Sequence, residues 1–259
     1  MRLKMVQDHL VLLPGLDGTG ELFAPFLWAL NYHFTSSVVS YPRDKLLHYQ
    51  QLLPRIREVI PWGQPYTLVA ESFSGPLALQ FASVQPENIK AIVLVASFAS
   101  SPIHPLLEWT KFLVKDSWLK KPLPEKALIK FLLDDDCPPV LTDVVLETIR
   151  NVRTEVIAHR IRMAMDTDAR LALGSCTKPI LYLQGARDRI VGRRGLDNIL
   201  AVKPEVSAVE INGPHLLLQR RPSEAVAAIE KFLADVEFAE RKRAEQTGFQ
   251  PAALFDLAS

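Results

Sequence analysis

Leu68-Val69-Ala70-Glu71-Ser72-Phe73-Ser74-Gly75-Pro76 runs from an apolar stretch into a serine flanked by small residues and then into a segment of helical period. The apolar start reads as a strand, and the segment after the serine as a helix. Ala70 and Ser74 stand two positions before and two after Ser72. A strained strand-to-helix turn admits only small side chains there, because the two backbones approach closely. The pattern is therefore GxSxG with both glycines replaced by small residues. Such a turn leaves the serine hydroxyl exposed at the carboxyl edge of a sheet, as a nucleophile requires. Read alone, the same serine is a helix N-cap. Ser74 is an alternative nucleophile in a shifted register, with Pro76 then at the small position.

Outward from this turn, short apolar runs alternate with helical stretches, the signature of βα units around a parallel sheet. The runs predict six strands, at 9–13, 34–40, 66–70, 89–96, 179–183 and 206–211. Ile92-Val93-Leu94-Val95 has no polar alternation, which places it near the sheet centre with helices on both faces. Helices are predicted at 22–30, 46–59, 76–84, 193–202 and 223–236, joined by short connections. The exception is 101–168, with helical stretches near 105–115, 125–133, 140–150 and 154–165. A structureless loop of that length is implausible, so it reads as a helical cap inserted into the core. The expected organisation is a core of 1–100 and 169–240, a cap at 101–168 and a tail at 241–259.

Two further strand ends carry chemistry-bearing residues. Ile180-Leu181-Tyr182-Leu183-Gln184-Gly185-Ala186-Arg187-Asp188 places an aspartate in the loop after a strand, and Val209-Glu210-Ile211-Asn212-Gly213-Pro214-His215 places a histidine after the last one. Alone, Asp188 is readable as an Asx-turn and His215 as a surface residue. Together with Ser72 they stand in the chain order Ser, Asp, His, each just past a strand's carboxyl end, which is the order of a hydrolytic triad on an α/β sheet. The roles expected are Ser72 as nucleophile, His215 as general base and Asp188 as the acid that orients it. Leu12-Leu13-Pro14-Gly15-Leu16-Asp17-Gly18-Thr19-Gly20 lacks the GxGxxG spacing and the Lys-Ser/Thr pair of a phosphate loop. It reads instead as an oxyanion loop, the amides of Leu16 and Phe73 converging on a developing alkoxide, with Asp17 as a turn residue.

On these residues the chain, over 9–233, resembles the α/β-hydrolase superfamily, and within it the small capped esterases of the pimeloyl-carrier-protein methyl ester esterase type. That family usually has His-Gly where this chain has Pro14-Gly15, and commonly opens with an antiparallel hairpin for which residues 1–8 are too short, so a truncated sheet is expected. The resemblance implies a serine carboxylesterase acting on small to medium acyl esters. The same triad serves carbon-carbon bond hydrolysis, lactone opening and acyl transfer, and the fold alone also serves a non-catalytic ligand receptor.

A hydrophobic share of 48%, 23% charged residues and a net charge of +1 describe an ordinary globule with no bulk attraction to nucleic acid or anionic membrane. No run approaches the ~18 apolar residues of a membrane span, and the N-terminus lacks a signal-peptide core. Cys137 and Cys176 form no metal or redox motif, so the expected setting is cytoplasmic, with no metal and no cofactor required. The cap is expected to supply Leu106, Trp109, Phe112 and Leu113 to an acyl pocket. His104 is either a hinge residue or a substrate contact. Arg150, Arg153, Arg160 and Arg162 make a basic cluster, read as a solvated face or, from the resemblance, as a dock for an acidic carrier protein or carboxylate substrate. Asp134-Asp135-Asp136 reads as a solvated turn, and Glu71 as a residue making structural hydrogen bonds.

Overall fold

The computed structural model describes residues 7–30, 34–84, 87–102 and 124–247. Six strands, β1 (Asp8–Leu13), β2 (Phe34–Val38), β3 (Tyr66–Glu71), β4 (Ile89–Val95), β5 (Ile180–Gly185) and β6 (Ser207–Ile211), form one sheet in the order β2-β1-β3-β4-β5-β6. All five pairings between these strands are parallel. β3 and β4 lie at the centre, in register Leu68↔Ile92 through Glu71↔Val95. Their side chains are buried almost throughout, which explains why neither alternates with polar residues. β6 is an edge strand, exposed except at Ile211.

The helices are α1 (Ala24–Ala29), α2 (Tyr49–Arg57), α3 (Gly75–Val84), α4 (Glu125–Leu132), α5 (Pro139–Arg150), α6 (Thr154–Asp166), α7 (Arg170–Ser175), α8 (Gly192–Val202), α9 (Leu217–Arg220) and α10 (Pro222–Thr247). One core layer joins the inward faces of α2, α3 and α8 to one side of the sheet through Leu52, Ile56, Leu77, Phe81, Leu196 and Ile199. The other joins α1 and α10 to the opposite side through Phe26, Val226, Ile229 and Leu233. Helix α2 is shorter than its apolar period predicts because His48 caps it: the His48 amide donates to Gln51 Oε1 at 2.9 Å in a capping box, leaving 46–48 outside. Helix α10 continues to Thr247, so the charged stretch after Val236 extends the helix.

Helices α4, α5 and α6 lie between β4 and β5, in the interval predicted to be an insertion. Its two ends meet: an antiparallel bridge joins Ser100 to Asp168, the Ser101 amide donates to Thr167 O at 3.0 Å, and the Ala169 amide to Ala99 O at 2.7 Å. The helix expected near 105–115 lies outside the described residues.

Candidate active site

Ser72 opens a single 3₁₀ turn between β3 and α3. Its φ is +48°, a left-handed conformation that costs a non-glycine residue roughly 1–2 kcal/mol. The cost is sustained by packing: the Ser97 hydroxyl donates to Ser72 O at 2.6 Å, and a methyl group on Gly75 would overlap the Ser97 hydroxyl. Glycine is therefore required one residue beyond the position the GxSxG pattern marks. Ser74, the alternative nucleophile, is fully buried and donates to Pro14 O while accepting from the Tyr41 hydroxyl at 2.7 Å. Its hydroxyl is occupied in fixing the loop after β1.

The loops after β5 and β6 bring Asp188 and His215 to the same sheet edge. His215 Nε2 lies 2.9 Å from Ser72 Oγ, and His215 Nδ1 lies 2.9 Å from Asp188 Oδ1. A carboxylate at Nδ1 fixes the tautomer: Nδ1–H donates to Asp188, leaving Nε2 to accept the Ser72 proton. Asp188 Oδ1 also accepts the amides of Ile190 at 2.9 Å and Val191 at 3.1 Å, so the Asx-turn and the histidine contact use the same oxygen. Burial pushes the Asp188 carboxyl up, but the neighbouring His215 and the two amides prevail and hold it below its ordinary value. Burial pulls His215 down, and the carboxylates of Asp188 and Glu71 outweigh it, leaving the imidazole above its ordinary value.

Glu71 stands beside this chain, 1% exposed. Gln219 Nε2 donates to its Oε2 at 3.4 Å. Burial, with repulsion from Asp17, pushes its carboxyl up to about 7 against the pull of Gln219 and His215. Its raised carboxyl beside the His215 imidazole goes beyond the structural hydrogen bonding expected of it. Asp17 closes an Asx-turn as predicted, accepting from the Thr19 amide at 2.8 Å and the Thr19 hydroxyl at 2.6 Å.

Ser72, His215, Glu71, Leu16 and Phe73 border a cavity of ≈ 650 Å³. Its walls are otherwise mainly apolar, with Phe98 after β4, Leu128 and Phe131 from α4, and Ile157 and Ile161 from α6. The predicted pocket residues His104, Leu106, Trp109, Phe112 and Leu113 lie outside the described residues.

Two readings of surface charge are corrected. Arg160 does not belong to an exposed basic face: it is 3% exposed and its guanidinium donates to Leu16 O at 2.9 Å, Asp17 O at 2.6 Å and Pro42 O at 2.9 Å. Arg150 and Arg153 are exposed and paired with Glu125 and Glu155, and Arg162 is half-buried, so the four do not share a surface. Asp134 is not in a solvated turn. It is buried and holds Arg187 Nη2 at 2.7 Å, Arg220 Nε at 2.5 Å and Arg221 Nη2 at 3.6 Å. Beside it Leu132 O accepts the Leu216 amide and Lys130 O accepts Arg189 Nη1, both at 3.0 Å. The end of α4 therefore grips both loops that carry Asp188 and His215. Among the described residues no group of three or more His, Cys, Asp or Glu side chains converges as a metal site, and no helix is long and apolar enough to cross a membrane.

The parallel sheet and the three strand-end residues define an α/β hydrolase, and residues 10–229 match the alpha/beta hydrolase family, to which the chain belongs. Among curated relatives, it is 25% identical over 242 residues to the pimeloyl-[acyl-carrier protein] methyl ester esterase of Xanthomonas campestris pv. campestris (strain B100), covering 87% of this chain and 94% of that one. It is 27% identical over 165 residues to the chloroplastic phytyl ester synthase 1 of Arabidopsis thaliana, covering 60% of this chain and 23% of that one. The fold is shared with the enol-lactonase from Burkholderia xenovorans LB400, at a TM-score of 0.71 and 16% identity over 88% of this chain and 92% of that one. A thermophilic esterase from Thermogutta terrifontis matches at 0.70 and 17% identity, over 88% and 90%. The family and the esterase-named relatives support a hydrolase.

Proposed function

We propose that this protein is a serine carboxylesterase that cleaves small to medium acyl esters through an acyl-enzyme. The observation that carries the proposal is the hydrogen-bonded chain Ser72–His215–Asp188 at the floor of an apolar cavity. His215 Nε2 takes the Ser72 proton as Oγ attacks the ester carbonyl, and Asp188 stabilises the imidazolium that results. The amides of Leu16 and Phe73 receive the oxyanion, a contribution of about 3 kcal/mol per donor. As the tetrahedral adduct collapses, His215 returns the proton to the departing alcohol. Water then attacks the acyl-Ser72 carbonyl by the same route, releasing the acid. The inserted helices act as the cap, and their apolar side chains receive the acyl group.

The second reading is acyl transfer to an alcohol, favoured by the apolar character of the cavity walls and by the likeness to a phytyl ester synthase. It shares every step up to the acyl-enzyme. An acidic carrier protein on the exposed Arg150 and Arg153 is a partner consistent with the names of the esterase relatives. The test is labelling by a fluorophosphonate, mapped by mass spectrometry, with hydrolysis of p-nitrophenyl acetate, butyrate and octanoate. The adduct is expected on Ser72, with turnover on at least one ester. Labelling at another serine overturns the assignment, and absence of both label and turnover favours a ligand receptor. Partitioning of the acyl group between water and added alcohol separates hydrolysis from transfer.

A further inference from the structure

The loop after β1 carries Gly15, Gly18 and Gly20, and its proposed donor must sit within about 0.5 Å of its working position to be effective. The peptide that carries the Leu16 N–H joins Gly15 to Leu16, and its neighbours on both sides are tied down. On the N-terminal side, Pro14 O accepts the buried Ser74 hydroxyl. On the C-terminal side, Leu16 O and Asp17 O both accept from Arg160 Nη1, while Arg160 Nη2 is braced on Pro42 O. The two anchors are themselves joined. The Arg160 guanidinium carbon lies 5.6 Å from the centroid of the Tyr41 ring, and the Tyr41 hydroxyl bonds to Ser74 at 2.7 Å. Gly18 completes the fit: its φ is +72°, and a methyl group there would overlap the guanidinium.

We propose that Arg160 is a positioning residue that holds the Leu16 amide at the oxyanion site from the inserted helix α6. The inference rests on the serine-esterase reading above and goes beyond it by making the insertion part of the transition-state machinery. A buried guanidinium bonded to three neutral backbone carbonyls is costly as mere packing, whereas the planar fork can span two successive carbonyls and a third as no other side chain can. Lysine keeps the charge and loses the fork. Methionine keeps the apolar stem and loses both.

The experiment compares wild type, Arg160→Lys and Arg160→Met on p-nitrophenyl butyrate, below the melting temperature of the least stable protein. It also measures affinity for an alkyl boronic acid, which forms a tetrahedral adduct on the serine, and for the matching alkyl alcohol, which does not. With an oxyanion donor worth about 10²- to 10³-fold in kcat, a misaligned one is expected to lower kcat by roughly 10- to 100-fold in Arg160→Met, with KM changed less than about threefold. Arg160→Lys should fall between the two, and boronate affinity should drop in step with kcat while alcohol affinity holds. An unchanged kcat, or a loss confined to KM, in a folded variant overturns the inference. So does an equal loss of boronate and alcohol affinity, which is the signature of a damaged pocket. If Arg160→Met does not fold, Arg160→Lys carries the same comparison. Fluorophosphonate labelling of wild type keeps the two proposals apart: no adduct on Ser72 removes the esterase reading and this inference with it, while an adduct on Ser72 with normal kcat in the Arg160 variants removes this inference alone.

Discussion

Replacing Glu71 by glutamine should stabilise the protein in alkaline solution and do little at acid pH. In the folded chain Glu71 is buried, and its pKa is pushed from 4.5 to about 7, first by burial and then by Asp17. The unfolded chain ionises it near 4.5, so between that value and 7 the unfolded state binds fewer protons and stability falls as pH rises. The favourable term is complete below pH 4.5 and gone above 7. At 1.36 kcal/mol per unit the full cost is about 3 kcal/mol, of which about 1 kcal/mol is already present at pH 5. The Glu71→Gln protein lacks this titration, so its advantage over wild type should grow by about 2 kcal/mol from pH 5 to pH 8. Urea unfolding followed by tryptophan fluorescence at both pH values measures it, with m-values checked for equality. Glu71 is one of the groups that raise His215, so the His215 titration shifts in the variant as well and the pH-dependent difference reads the coupled pair. A stability difference constant with pH would refute the picture of a neutral carboxyl buried beside the histidine.

Ser72→Ala should lower esterase turnover by roughly 10⁴- to 10⁶-fold while circular dichroism stays native, and Ser72→Gly should be more stable than Ser72→Ala by up to about 1 kcal/mol because it relieves the positive φ. Asp188→Asn should lower kcat by roughly 10²- to 10⁴-fold, since an amide facing Nδ1 favours the unproductive tautomer, whereas Asp17→Asn should be mild; the reverse ranking in kinetic assays would move the acid into the oxyanion loop. Asp134→Ala should cost about 3 kcal/mol in urea unfolding, because it strips the carboxylate from Arg220 and its neighbours, and a loss below about 0.5 kcal/mol would show those pairs to be incidental. Ala164→Phe, placed in the cavity wall, should depress octanoate turnover more than acetate turnover, and equal losses on both would remove the acyl chain from that part of the cavity.

The sheet was legible because Ile92–Val95 and Leu68–Ala70 are buried on both faces and so carry no polar residue to confuse the period. The meeting of Ser72, Asp188 and His215 was legible because each follows a strand end, a local signal that chain order converts into one edge. Arg160 and Asp134 were illegible for a different reason: their partners lie far away in sequence, Leu16 at a separation of 144 residues and Arg220 at 86. Charge content alone sent both to the surface. A finer signal existed for Arg160, since Val156, Arg160 and Met163 fall on one helical face and are all buried. No comparable period marks Asp134, which lies just past the end of α4. The raised pKa of Glu71 depends on burial and on Asp17, neither of which a reading of neighbours along the chain supplies.

The meeting of Ser100 with Asp168 has a consequence for how such chains diversify. Because the segment between Ser100 and Asp168 begins and ends at one point beside the sheet, residues added or removed within it should not shift the register of β4 against β5. Doubling the length of a flexible loop adds only about 0.6 kcal/mol to its closure cost. A segment exchanged from another member of the fold would therefore inherit a ready-made stalk. It would also have to bring a carboxylate for Arg220 and an arginine for the Leu16 turn. If Arg160 positions the Leu16 amide as proposed, a transplanted segment lacking these two side chains should give a protein that folds its sheet and turns over slowly.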